Sequence, residues 1–462
     1  MSTSRFSQEA AYESLWERLS RRLSATSPGR LLVVSYVGLA TLGTALLSLP
    51  VAVREPPALG LVEALFTATS AVSVTGLTVV DVGHQLSLFG QLVVLGLMQL
   101  GGFGVMTGST LLAVLAGRRI GLRGRLMLKE ELHQDYLSGV VRLLRMIAGV
   151  TLAVEAVGAL LLFLAWRGRL GTGQALYYGL FHAVSAFNNA GFDLWGTSLR
   201  GFSSDPLVVL TVAGLFMVGG IGFSVLAELF SWPAQGRLSL HSRVTLWAAG
   251  ILVSGGLLVV LATEWTNPST LGPMPWPQKL LAAFFTAATP RSAGFEVVPT
   301  AMLRPVTLFA MLFLMLVGVS PGSTGGGIKT TTAAVILAGI RAALAGREDL
   351  VLMGRRLPRG TFQRAVALAA MAILWIAVVA GVLMAVEPLD PDAVLFEVVS
   401  AFGTVGLSTG ITPALSDLSL VLLALTMLVG KVGPVTFAVA LARRMAAGAV
   451  HVRYPEERIG LG

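Results

Sequence analysis

Apolar residues dominate eight long stretches of the chain: 31–53, 86–116, 140–166, 204–230, 244–263, 303–319, 364–387 and 415–446. A helix rises 1.5 Å per residue, so about 20 apolar residues cross a bilayer. Eight crossings return the chain to the side on which it began. Between the members of each successive pair lies a shorter apolar segment: LVEALFTATSAVS, QALYYGLFHAVSAF, QKLLAAFFTAATP and DAVLFEVVSAF. At about 12 residues these are too short to cross. Each runs into a small polar cluster with a glycine: VTGLTVVD, NNAGFDL, RSAGFEVVP and TVGLSTGITP. The glycines are Gly76, Gly191, Gly294 and Gly406, spaced by 115, 103 and 112 residues. Such a repeat determines the architecture. The pattern predicts an all-α polytopic membrane protein of four pseudo-repeats, each a helix, a re-entrant pore loop and a second helix, around one central pore. The repeats span 31–118, 140–233, 244–345 and 362–446. In the third, the apolar run of the second helix stops at Ser320 and resumes near 333, with SPGSTGGGIKTTT between.

Composition agrees. The 462 residues are 55% hydrophobic and 12% charged, where soluble proteins carry about 25% charge. Mean hydropathy is +0.79. Length alone suggests about three soluble domains, and composition overrides that prior. The pI near 10.4 raises the question of nucleic acid. However, 24 of the 33 Lys and Arg fall at Arg5–Arg30, 118–145, Arg237 with Arg243, 341–364, and Arg443–Arg458. That is a positive-inside bias. It predicts both termini and the linkers between repeats on the cytoplasmic side, and no nucleic-acid partner. Residues 1–30 read as a cytoplasmic amphipathic segment lacking the apolar core of a signal peptide. Residues 447–462 read as a cytoplasmic tail. There is no cysteine, hence no disulfide.

Non-helical backbone at membrane depth must be buried in protein or line a water-filled cavity. Four equivalent strands can meet on one axis and present a ring of carbonyls that replaces a cation's water shell. Each short helix would add partial negative charge from its C-terminal end. The competing structural reading is four ordinary loops capping re-entrant helices. SPGSTGGGIKTTT nearly matches the phosphate loop G-x-x-x-x-G-K-[ST], but Ile328 stands where lysine belongs. A phosphate loop follows a strand in the cytosol. This one follows a helix that descends roughly 24 Å from the third glycine cluster. Glycine and serine weaken helices, so the stretch reads as a helix break within the membrane, or more plainly as a kink with packing glycines.

The four ordered clusters resemble the pore loops of the Trk/Ktr/HKT superfamily of potassium transporters, most closely the Ktr-type membrane subunit, over about 31 to 462. The resemblance implies a potassium filter at Val74, Thr75 and Gly76; Asn189, Ala190 and Gly191; Ser292, Ala293 and Gly294; and Thr404, Val405 and Gly406. In plant relatives a serine at the first filter glycine goes with sodium selectivity; here that position is Gly76. The resemblance also implies a gate at Gly322, Ser323, Thr324, Gly325, Gly326 and Gly327, with Lys329 and Lys431 beside it. The family usually has arginine at the position of Lys431. A homodimer is implied, docked on a cytosolic ring-forming regulatory subunit that carries the nucleotide, with 118–145 and 341–364 as the docking surface. The chain itself is expected to need no cofactor. The expected location is the bacterial plasma membrane. Sodium or sodium-coupled transport on the same scaffold is the alternative, and a membrane enzyme or non-transporting sensor is remoter.

Other charged residues are candidates for bracing. Ionisable residues inside a membrane are costly and suggest function; Lys431 could form a cation barrier, or simply pair with a carbonyl. Arg291 is expected to brace the third strand through Glu296, Asp193 or Asp81. Glu155 is expected to bond to a neighbouring repeat, and His182 to pack or brace. Asp81, Asp193 and Glu296 could concentrate cations outside the filter or cap their loops.

Overall fold

The computed structural model describes residues 28–104, 140–347, 349–358 and 360–447. The segment read from the sequence as the first repeat contains α1 (Pro28–Leu47), the short α2 (Leu61–Ser73) and α3 (Leu88–Phe103). The second contains α4 (Val140–Leu170), the short α5 (Thr172–Phe187), α6 (Pro206–Ile221) and α7 (Phe223–Gln235). The third has α8 (Leu240–Glu264), the short α9 (Trp276–Ala288), α10 (Pro305–Leu316) and α11 (Thr330–Leu344). The fourth has α12 (Thr361–Val386), the short α13 (Pro391–Gly403) and α14 (Asp417–Ala447). The four short helices fall on the four short apolar segments read from the sequence. The predicted N-terminal segment, most of linker 118–145 and the C-terminal tail lie outside the described residues.

One expectation about the long helices needs correction. The stretch 204–230 is not one straight span: α6 and α7 are bent by 99° at Gly222, whose φ is +100°. Within the described residues α3 has 16 residues, the remainder of stretch 86–116 lying outside them, and α10 has 12 before the expected break. Among the described residues, Met146–Leu170, Leu240–Glu264 and Thr361–Val386 are each long and apolar enough to cross a membrane, and the bent pair qualifies together.

Close glycine contacts explain how the second helices cross the short ones. A Cβ on Gly101, Gly219 or Gly430 would collide with the carbonyl oxygen of Val72, Phe187 or Phe402 respectively. Each of these carbonyls lies four residues before the cluster glycine of its own repeat. The pairs Gly101–Gly102 and Gly219–Gly220 therefore mark crossings, a signal present in QLGGF and VGGIG.

Carboxylates clamp one end of two of the long helices. Glu264, ending α8, accepts from the backbone N–H of Arg304 at 2.9 Å, Thr270 Oγ1 at 2.7 Å and Asn267 Nδ2 at 2.6 Å. Glu387, just past α12, accepts from the N–H of Ser416 at 3.0 Å and Ser419 Oγ at 2.6 Å. Each places negative charge at the start of the next long helix, α10 or α14, where the helix dipole favours it. Large apolar side chains such as Leu258, Phe309, Phe313 and Leu374 face outward, as a lipid-facing surface requires. In the linker 341–364, β1 (Val351–Leu352) pairs antiparallel with β2 (Arg355–Arg356). The turn uses positive φ at Met353 and Gly354, the signature of a tight hairpin.

Candidate functional site

The four clusters share one backbone design. The residue two before each glycine is left-handed without being glycine: Val74 at φ +51°, Asn189 at +58°, Ser292 at +61° and Thr404 at +47°. The glycines follow at +92°, +70°, +74° and +89° for Gly76, Gly191, Gly294 and Gly406. In three repeats the intervening residue bonds back five positions: Thr75 N to Ser70 O at 2.8 Å, Ala190 N to Ser185 O at 2.8 Å and Val405 N to Ser400 O at 2.9 Å. This is the helix stop that normally uses glycine at the left-handed position. An L-residue there costs about 1–2 kcal/mol, and branching at Val74 and Thr404 adds to the crowding. Strain of this kind concentrates at functional sites.

The clusters meet. A Cβ on Gly76 would lie 3.0 Å from the Cα of Gly191. One on Gly191 would lie 3.1 Å from both the oxygen of Ala293 and the Cα of Gly294. One on Gly294 would lie 2.5 Å from the oxygen of Val405, and one on Gly406 would lie 3.1 Å from the Cα of Gly76. Each strand therefore abuts the next in chain order, and the fourth abuts the first. The carbonyls of Thr75, Ala190, Ala293 and Val405 sit at the four junctions of this closed ring. Hydroxyls hold the strands from behind. Ser70 Oγ accepts from Gly76 N at 3.0 Å, Ser185 Oγ donates to Phe192 O at 2.7 Å, and Thr289 Oγ1 donates to Phe295 O at 2.7 Å. Ser292 Oγ donates to Gly403 O at 2.9 Å, tying the third strand to the fourth.

On one side of the ring is a recess of about 230 Å³ lined by Gly76, Asp81, Gly191, Asp193, Gly196 and Pro413. The acids near it are engaged. Asp81 accepts from the N–H of His84 and contacts its Nδ1, both at 2.9 Å. Asp193 Oδ1 accepts from the N–H groups of Trp195 and Gly196 at 2.8 and 2.7 Å. Loss of surrounding water nevertheless pushes the Asp193 carboxyl up to about 6. Glu296 pairs with Arg200 at 2.5 Å. Asp81 and Asp193 are thus held within their own loops, and Glu296 is tied to Arg200 in the loop after the second strand.

On the other side lies the glycine loop. Gly318 N donates to Ile328 O at 2.9 Å and Thr330 N to Val319 O at 3.3 Å, closing the break on itself. The loop also reaches two other repeats. Ser320 N donates to Gly220 O at 3.2 Å, Thr324 N to Gly219 O at 3.4 Å, and Phe223 N to Gly322 O at 2.9 Å. Gly327 N donates to Gly430 O at 3.3 Å. Ser323 Oγ donates to Ser320 O at 2.5 Å. Gly326 N donates to Thr404 Oγ1 at 2.8 Å, joining loop to ring, and a Cβ on Gly325 would lie 2.7 Å from that of Ser292. Lys329 Nζ donates to Gly325 O at 2.7 Å, and Lys431 Nζ donates to the carbonyl of Thr324. Both ammonium groups border a cavity of about 70 Å³ shared with Tyr36, Gly101, Phe223 and Ser323.

The remaining candidates separate. Glu155 accepts from Asn188 Nδ2 at 3.1 Å and from Gln99 Nε2 at 3.3 Å, so it joins α4 to α5 and to α3 of the preceding repeat, as expected. His182 bridges Tyr178 O through Nδ1 at 2.7 Å and accepts from Leu194 N through Nε2 at 3.3 Å. With Trp166 and Trp195 around it, it is a brace. Arg291 departs from expectation. Glu296 is taken by Arg200, and Arg291 is buried with its Nε lacking a hydrogen-bond partner. The sequence reading missed Glu397. Fully buried in α13, it accepts from Ser408 Oγ and Thr412 Oγ1, both at 2.5 Å, and anchors the loop after the fourth strand. A lone acid inside EVVSAF was the only available signal. Also missed was the bond from Gly326 to Thr404, which no local pattern announces.

Comparison with known proteins adds independent evidence. Residues 21–451 match the TrkH family, described as a cation transport protein. The chain is 36% identical to Ktr system potassium uptake protein B of Bacillus subtilis, covering 94% of this chain and 97% of the relative. It is 37% identical to the protein of the same name from Vibrio alginolyticus, covering 94% of each. Potassium/sodium uptake protein NtpJ of Enterococcus hirae is 34% identical over 96% of this chain and 99% of its own. Among solved structures, the potassium transporter TrkH from Vibrio parahaemolyticus superposes with a TM-score of 0.70 at 18% identity, covering 90% of this chain and 85% of that one.

Proposed function

The chain belongs to the TrkH family of cation transport proteins, and from that premise we propose that it carries potassium inward across a bacterial plasma membrane. Four pseudo-repeats surround one pore. Potassium sheds water at Val74–Gly76, Asn189–Gly191, Ser292–Gly294 and Thr404–Gly406, where backbone carbonyls replace its hydration shell. The observation that carries this reading is the closed succession of contacts among Gly76, Gly191, Gly294 and Gly406, with one carbonyl at each junction. The recess holding Asp193 is the outer entrance, and the cavity bordered by Lys329 and Lys431 is the inner one. Between ring and inner cavity, the loop Gly322–Gly327 is the gate. The membrane potential drives entry, at about 2.3 kcal/mol per charge per 100 mV.

Lys431 acts on this path in two ways. Its ammonium holds the loop through the carbonyl of Thr324, and its charge opposes a cation dwelling beneath the ring. Control comes from outside the chain. A homodimer docks on a cytosolic ring of nucleotide-binding subunits through the basic linkers 118–145 and 341–364, and a change in ring shape moves the loop. The test is growth of a bacterial strain without potassium uptake systems, with this chain and a Ktr-type cytosolic subunit supplied. Rescue at low potassium is expected, together with potassium flux in proteoliposomes that sodium does not match. Equal sodium flux would favour the sodium reading, for which the name of the Enterococcus hirae relative gives the precedent. No flux of either ion with the subunit present would overturn the proposal.

A further inference from the structure

Arg291 follows α9 and immediately precedes the third strand of the ring. It is 8% exposed. Among the described residues its Nε has no hydrogen-bond partner and no carboxylate pairs with it. Buried charges are normally paired and hydrogen-bonded. The guanidinium instead borders a cavity of about 280 Å³ between α6 and α8. The walls include Phe216, Ile221 and Val319, and among the described residues Ser254 is the only other polar side chain lining it. Gly250 and Ser254 on α8 are exposed, so the cavity opens sideways, toward lipid. Phe216 lies ten residues into α6, roughly 15 Å below its outer end, near the middle of a bilayer.

We propose that this cavity binds the carboxylate end of a single-chain amphiphile, a fatty acid drawn from the surrounding bilayer. The guanidinium presents a planar fork that matches a carboxylate in two parallel hydrogen bonds. The apolar walls suit an acyl chain and give a free inorganic anion nothing. The volume is at the small end for ligand pockets, which favours one chain end over a two-chain lipid. Two of the walls are moving parts of the site described above. Ile221 adjoins the 99° bend at Gly222, and Val319 opens the glycine loop. Given the proposed function, a bound carboxylate would also offset a positive charge one residue from the potassium ring, so occupancy would raise conduction.

The test uses the purified full chain in phosphatidylcholine nanodiscs with a diazirine-bearing palmitate, labelled sites being mapped by peptide mass spectrometry. This readout is independent of transport, so its failure and the failure of the transport reading are distinguishable. Labelling is expected on α6 and α8 and is displaced by oleate, but not by oleyl alcohol, phosphatidylglycerol or inorganic phosphate. Arg291→Gln should reduce labelling at least tenfold. Gly250→Leu, at the exposed mouth, should do the same while leaving the arginine in place. Undiminished labelling in both variants would overturn the proposal. So would displacement by oleyl alcohol (an apolar groove only), by phosphate (a free-anion site) or by phosphatidylglycerol (a two-chain lipid site). If Arg291→Gln does not fold, Gly250→Leu and the displacement series on the parent protein decide.

Discussion

Thr404 does two jobs at once. Its backbone takes the left-handed turn that ends α13, and its hydroxyl accepts the N–H of Gly326. Thr404→Val keeps the shape and removes the acceptor, leaving a buried amide unpaired at about 1–3 kcal/mol. The loop should then leave its closed position more often. Potassium flux in proteoliposomes without the regulatory subunit is expected to rise, and Thr404→Ser to restore the low value. Gly191→Ala acts on the ring itself. The new Cβ would press on the oxygen of Ala293 and the Cα of Gly294 at 3.1 Å, at a φ of +70°. Flux should vanish while the protein still purifies as a folded species. Asp193 supplies a pH dependence. Its carboxyl, raised to about 6 by burial, is charged above that value and neutral below it. If the Asp193 recess is the outer entrance, as proposed, a negative charge there raises local cation concentration. Uptake should therefore fall as external pH drops through about 6, and Asp193→Asn should flatten that step.

At the scale of elements, glycine spacing carried much of the design. The glycines at 76, 191, 294 and 406 located four turns because only a tight backbone approach needs them in register. The short helices were legible because 12 apolar residues fit neither a span nor a loop. The bend at Gly222 was not legible, because VGGIGFSVL stays apolar straight through the break and hydropathy is blind to backbone direction. Arg291 was misassigned for a similar reason: sequence shows that acids are nearby but not which of them Arg200 already holds. The crossing glycines make a quantitative contrast available. Gly430→Ala drives a methyl group into the carbonyl of Phe402, so α14 must shift away from α13. A large fall in unfolding temperature and loss of flux are expected. Gly96→Ala, inside α3 with nothing within 4 Å of the added Cβ, should be neutral or stabilising by up to about 1 kcal/mol.

For the whole molecule, an ion held in the ring as proposed would touch all four repeats and so should report on their assembly. Binding to the folded state alone stabilises by RT ln(1 + [L]/Kd), about 2.7 kcal/mol at a hundredfold excess over Kd. The unfolding temperature in detergent should rise with added potassium, change little with choline, and lose this response in Gly191→Ala. An unfolding temperature indifferent to potassium would argue against an ion held by all four strands. The family and the helical class could be read from the chain because four imperfect copies reinforce one another. The coupling between copies could not, because each such contact joins residues of different repeats.

The glycine loop comes from the third repeat alone, yet it is held by carbonyls of the second and a hydroxyl and a lysine of the fourth. A symmetric iris would need four blades to withdraw together. A single latch fastened across its neighbours needs only one release. If the loop is the gate, as proposed, opening should be an all-or-none event without four graded sublevels, and in single-channel records each pore would switch directly between closed and one full conductance level.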